Sequence, residues 1–194
     1  MEQYWTNRYE TEQTGWDIGY VSTPIKMYFD QVTDKNLRIL IPGAGRGYEA
    51  EYLYQIGFQC VDVLDISNLP LLELSERVPD FSKNQLIQGD FFDHKGQYDI
   101  VVEQTFFCSF PPTPQLRTAY AKKMYELLKP KGKLVGLWFN MPLTGDMEKR
   151  PFGGSKEEYL GYFSPLFDIK TFEPCHNSIP PRAGNELFGI MIKH

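Results

Sequence analysis

Residues 37–41 form an apolar run interrupted only by Arg38, and the run stops at Pro42-Gly43. A strand buried on both faces of a parallel sheet reads this way. The loop that follows, Gly43-Ala44-Gly45-Arg46-Gly47, leads into Ala50, Leu53, Tyr54 and Gly57 at helical spacing. Strand, glycine turn and helix in that order point to a βαβ unit, because a parallel neighbour needs a long crossover, usually helical.

The alternation continues. Cys60–Leu64 reads as a second strand ending at Asp65, and Leu71, Leu74 and Val78 mark a helix stopped by Pro79. Gln85–Gln88 is a short strand ending at Gly89-Asp90, and Asp99–Val102 is a fourth. Tyr120, Met124, Leu127 and Leu128 mark a helix that stops at Pro130, and Lys133–Phe139 is the fifth strand. A helix near Ser155–Tyr162 and the apolar segments Phe167–Phe172 and Leu187–Ile192 complete the pattern. Thr23-Pro24 opens a short helix with Thr23 as its cap. The expected fold is α/β: a doubly wound, mostly parallel, seven-stranded Rossmann-like sheet with helices on both faces. A chain of 194 residues is expected to make one domain, 1–194, at ~150 residues per domain. Residues 1–20, with Trp5, Tyr9 and Trp16 among charges and breakers, read as an aromatic flap rather than a regular strand.

Composition excludes several partners. The net charge of −5 argues against nucleic acid and anionic lipid. No apolar run approaches the ~20 residues of a membrane span. Three cysteines without CxxC spacing argue against a disulfide framework or a cysteine-rich zinc site, and no metal is expected. The polar N-terminus is not a signal peptide, and the protein is expected to be a cytoplasmic monomer.

In such sheets ligands bind beyond the carboxyl ends of the strands. Gly43 and Gly45 permit a tight turn and a close backbone approach to a ligand. The loop lacks the Gly-Lys-Ser/Thr of a Walker A sequence. Its third glycine comes one residue too early for a dinucleotide fingerprint, and Tyr48 stands where that fingerprint needs a small residue. Asp65, 22 residues past Gly43, is placed to accept hydrogen bonds from ribose hydroxyls, or else it caps a helix, a role open also to Ser67. Asp90 could accept from an adenine amino group and Phe91 could flank the base; Glu103 and Gln104 end the fourth strand. A nucleoside without a pyrophosphate signature points to S-adenosylmethionine rather than NAD.

Ile39–Tyr48, Leu64-Asp65-Ile66-Ser67, Gly89-Asp90-Phe91-Phe92 and Tyr125–Lys133 resemble class I S-adenosylmethionine-dependent methyltransferases. More narrowly, Tyr4–Tyr9, Thr14–Asp17, Glu103–Ser109 and Ile179–Arg182 resemble the thiopurine S-methyltransferase family, in particular its thiol and halide branch. The resemblance implies that Trp5, Tyr9 and Trp16 cover the cofactor. It also implies that Gly43 lines the methionine side, Asp65 holds the ribose, and Asp90 and Phe91 contact the adenine. Tyr9 stands for a family Trp, and Gln104 for a residue often Tyr in that branch. Arg182 and Phe152 match acceptor-side residues, and Phe107 and Glu103 are further candidates there. The expected reaction is in-line methyl transfer from S-adenosylmethionine to a small soft nucleophile (a thiol, thiopurine or halide), leaving S-adenosylhomocysteine. An O- or N-acceptor would more often need a base, for which Glu103 is the nearest candidate. A nicotinamide-dependent oxidoreductase and a non-catalytic cofactor-binding protein are the other readings.

Overall fold

The computed structural model describes residues 1–194. Seven strands form one sheet in the order β3-β2-β1-β4-β5-β7-β6, the strands being numbered along the chain. The chain divides into two compact units, Met1–Lys95 and Gly96–His194.

The first unit contains helix α1 (Glu2–Glu10), α2 (Thr23–Asp30), β1 (Ile39–Pro42), α3 (Tyr48–Gln55), β2 (Val61–Asp65), α4 (Asn68–Arg77) and β3 (Leu86–Gln88). β1 pairs in parallel with β2, and β2 with β3. All four residues of β1 are buried, as the apolar run predicts. Within the stretch 1–20 expected as a flap, residues 2–10 are helical. Trp5 and Tyr9 fall four residues apart, on one face of that helix. Thr6 Oγ1 lies 2.9 Å from Ser67 Oγ, and Gln88 Nε2 donates to Glu2 Oε1 at 3.0 Å, so polar contacts as well as rings hold α1 in place. Ser22, rather than Thr23, is the extended residue that caps α2, which moves Pro24 to the second helical position.

Gly47 explains why Tyr48 is tolerated. Its φ is +70°, and a Cβ there would lie 2.7 Å from Leu74 Cδ2 of α4. The third glycine therefore makes the close helix contact, and Tyr48 is left half-buried with the Arg77 guanidinium 4.7 Å above its ring. Gly47→Ala combines left-handed strain with overpacking and is expected to destabilise the protein by roughly 1–3 kcal/mol. An unchanged urea midpoint would contradict this.

The second unit contains β4 (Tyr98–Gln104), α5 (Pro114–Leu127), β5 (Leu128–Phe139), α6 (Lys156–Phe163), β6 (Phe167–Pro174) and β7 (Glu186–Lys193). β4 and β5 are parallel, whereas β7 runs antiparallel to both β5 and β6. The sheet is thus mixed but mostly parallel. Thr113 caps α5, its hydroxyl accepting from Leu116 N, and Ser155 caps α6 by accepting from Glu158 N. β5 begins at Leu128 instead of Lys133. Leu128 is buried opposite Tyr98, and the ladder then skips to Ile100 opposite Lys133. The irregular piece holds Pro130, which has no N–H to donate, and Lys131 at φ +63°.

Candidate active site

In the first unit the glycine loop is tied down by its own strand ends. Ala44 N donates to Leu64 O at 3.1 Å, and Gly45 N donates to Asp65 Oδ2 at 2.9 Å. Asp65 Oδ1 accepts from Ser67 N at 2.9 Å, so the carboxylate braces both the loop and the start of α4. Gly89 N donates to Asp65 O at 3.0 Å, which joins the end of β2 to the turn that carries Asp90. Burial pushes the Asp65 carboxyl up to about 6, against the pull of its backbone donors.

Tyr9 and Trp16 approach this loop, and Trp5 packs against Trp16. Trp5 and Trp16 meet edge to face at 5.4 Å, and Tyr9 and Trp16 do so at 5.8 Å. A Cβ at Gly45 would lie 3.2 Å from Tyr9 Oη and 3.8 Å from Trp16 Nε1, so glycine allows that approach. Burial raises the Tyr9 hydroxyl well above its ordinary value, and it stays protonated. Arg46, which carries the loop's one charge, binds Asp17 and Glu73, and reaches Thr14 Oγ1 at 3.2 Å. This clamp was invisible in the sequence, because its partners lie 29 and 27 residues away.

Trp5, Tyr9, Trp16, Gly45 and Asp65 are therefore brought together, with Gly43 in the same loop at φ +58°. Asp90 is exposed, and its Oδ1 accepts from Phe92 N at 2.8 Å, closing a turn. Phe91 is buried, 5.2 Å from the Phe92 ring. A desolvated carboxylate with acceptor capacity left, a backbone loop without side chains and a cluster of ring faces suit a nucleoside that carries a cationic sulfur.

In the second unit two of the four acceptor-side candidates, Glu103 and Phe107, line one small cavity with room for about one water-sized molecule, and the other two, Phe152 and Arg182, contact residues of its wall. Glu103, Phe107, Cys108, Leu137, Trp138 and Glu186 line it. Phe152, itself buried, donates its N–H to Cys108 O at 2.8 Å. Arg182 lies 5.6 Å over the Phe139 ring at the cavity wall, with Nη1 3.6 Å from Glu186 Oε1. Gln104 closes β4 and is half-buried.

Glu103 is fully buried on β4. Its Oε1 accepts from Phe106 N at 2.8 Å and Phe107 N at 2.9 Å, and its Oε2 accepts from the Tyr120 hydroxyl. It thereby holds the short 3-10 turn over Phe107–Ser109, which follows Thr105 at φ +53°. Burial pushes its carboxyl up to about 7, although all three donors favour the charged form. The same burial raises the Cys108 thiol far above its usual range, so Cys108 remains a thiol and not a nucleophile.

Sequence reasoning missed three residues here. Arg117, fully buried on α5, binds Glu158 Oε1 at 2.5 Å and Gly153 O at 2.6 Å, and lies 5.0 Å over the Phe107 ring. Trp138 lines the cavity, and its buried indole N–H has no hydrogen-bond partner in the protein. Glu186, at the start of β7, adds a second buried carboxylate. An Arg in an otherwise apolar helix stripe was the one available signal.

Two curated relatives cover 95% of this chain and 82% of their own length. Thiocyanate methyltransferase 1 of Arabidopsis thaliana is 30% identical over 192 residues. Probable thiol methyltransferase 2 of the same plant is 29% identical over 191. Among solved structures, the Burkholderia thailandensis 1,6-didemethyltoxoflavin-N1-methyltransferase with bound S-adenosylhomocysteine superposes with a TM-score of 0.79. It is 16% identical, with 99% of this chain and 86% of that one covered, which supports the fold. Residues 1–192 match the family profile described as Thiopurine S-methyltransferase (TPMT). The chain belongs to the thiopurine S-methyltransferase family and is an S-adenosylmethionine-dependent methyltransferase acting on a small nucleophile.

Proposed function

We propose that the acceptor is a small thiol, methylated by direct in-line transfer, and that the protein acts as a cytoplasmic monomer with no nucleic-acid partner. The mostly apolar cavity wall that holds Phe107, Cys108, Leu137, Trp138 and Phe139 carries this reading, since soft sulfur suits such a wall. The acidic net charge supports the absence of a nucleic-acid partner, and three free cysteines support a reducing compartment.

When bound, S-adenosylmethionine supplies a methyl group already activated by its sulfonium. In this reading Asp65 holds the ribose, Gly43 and Gly45 follow the methionine side, and Asp90 and Phe91 meet the adenine. Trp5, Tyr9 and Trp16 cover the cofactor as part of an N-terminal flap over residues 1–20, which Arg46 secures through Asp17. Ring faces attract the cationic sulfur, and the closed flap excludes water. Phe107, Phe152 and Arg182 shape the acceptor side, with Gln104 at the end of β4. Each of these residues orients or shields; none needs to become covalently modified.

A panel of thiols, thiopurines and halides, with S-adenosylhomocysteine as readout, tests this. Thiols are expected to yield product. Cofactor binding by calorimetry without product from any acceptor would reduce the protein to a binding role.

A further inference from the structure

The acceptor-side candidates of the second unit are closed off as they stand. Glu103, Phe107, Phe152 and Arg182 are all buried, and the cavity that Glu103 and Phe107 line has room for about one water-sized molecule. Even the smallest organic thiol is larger than that, so part of this wall must move before an acceptor reaches it. Residues 141–154, between β5 and α6, make an Ω-shaped loop that can do so. Its ends meet at a neck, where Gly154 N donates to Met141 O at 2.8 Å and a Cβ on Gly153 would collide with the same oxygen. Residues 142–149 are exposed, Leu143 and Met147 among them, so the crown buries no large apolar side chain that would hold it down.

The loop is held at two places of unequal strength. At the neck, the fully buried Arg117 donates from Nη2 to Gly153 O at 2.6 Å and from Nη1 to Glu158 Oε1 at 2.5 Å. Parting a buried charge from its partners is costly. At the far limb, Arg150 Nε donates to Ser109 O and Phe152 N to Cys108 O, both at 2.8 Å. Arg150 is half-buried, so water can replace its carbonyl at small cost. The weaker attachment is therefore the one that lies on the Phe107–Ser109 turn.

We infer that residues 142–152 are a gate on the acceptor side, latched by Arg150 and the Phe152 N–H on the Ser109 and Cys108 carbonyls and hinged at the Arg117-bound neck, and that this latch limits the size of thiol that is methylated. This rests on the thiol-acceptor reading above. Opening breaks the two latch bonds, lifts Phe152 from Cys108 and leaves the neck intact. A small thiol lets the latch close again before transfer, which restores its bonds and excludes water. A bulky thiol holds the gate ajar and forfeits them.

The test uses the full chain, amide hydrogen exchange, and two thiols alike in acidity and different in bulk, ethanethiol and cyclohexanethiol. In the wild type the Phe152 N–H is expected to be at least about tenfold less protected than the Gly154 N–H at the neck. Arg150→Ala is expected to lower Phe152 protection by about fivefold or more and to leave Gly154 unchanged. It is also expected to raise the cyclohexanethiol-to-ethanethiol ratio of kcat/KM by a similar factor, read as S-adenosylhomocysteine. Arg150→Lys, which can still donate to Ser109 O, is expected to keep both readouts near the wild type. Taking the ratio within one preparation cancels partial unfolding, and the wild-type amides decide the matter if a variant does not fold. Equal protection of the two amides, or a Phe152 amide unmoved by Arg150→Ala, would overturn the gate. Faster Phe152 exchange with an unchanged thiol ratio would overturn its part in acceptor choice. Each of these results leaves the methyltransferase standing. No product from any thiol with the wild type, cofactor being bound, would overturn both readings.

Discussion

Glu103→Gln is expected to flatten the pH dependence of stability. The folded carboxyl sits at about 7, above its ordinary value of 4.5. A raised carboxylate pKa means that the folded state binds the proton more tightly than the unfolded state does. Its contribution is therefore fully present below pH 4.5 and is lost as pH rises through about 7. A tenfold difference in proton affinity between the two states is worth ~1.4 kcal/mol, so the wild type should lose roughly 2–3 kcal/mol between about pH 5 and pH 8 from this group. Glutamine keeps an oxygen for Phe106 N and Phe107 N and carries no charge, so this loss should vanish. Urea unfolding of both proteins at the two pH values measures the difference, and parallel curves would show that Glu103 is not the group that titrates. Asp65, raised in the same direction, contributes equally to both proteins and cancels.

Asp65→Ala is expected to weaken binding of S-adenosylmethionine by roughly 1.5–3 kcal/mol, the scale of hydrogen bonds to a charged group. That is about a tenfold to hundredfold rise in Kd. Two effects add. The ribose would lose its carboxylate, and Gly45 N and Ser67 N would lose the acceptor that holds the loop against β2. Calorimetry on a variant with a native circular dichroism spectrum is the measurement. Unchanged affinity would leave Asp65 as a brace for the loop alone.

The strand-and-helix alternation was legible because it is local: β1, β2, α4, β5 and β7 each announce themselves by apolar period and by a Pro, Gly or Asp at or near their ends. Their bounds moved by a few residues where pairing overrode the pattern, as at Leu128 opposite Tyr98. Helix α1 was not legible, because its inward face carries only Trp5 and Tyr9 among polar residues, and its contacts with Ser67 and Gln88 are remote in the chain.

The same division runs through the site. The glycine loop and Asp65 follow from strand ends in the sequence, and so does the expectation of a nucleoside rather than a pyrophosphate. The sequence also made Glu103 a candidate, without its condition. Burial decides that condition, since desolvation raises a carboxylate only once the fold has removed water from it. Trp138 acquired its place in the cavity wall the same way, and Arg46 its grip on Asp17 and Glu73. Charge and hydrogen-bond capacity belong to a residue, and the sequence states them. What faces that capacity is set by residues tens of positions away, and only the tertiary structure brings them there.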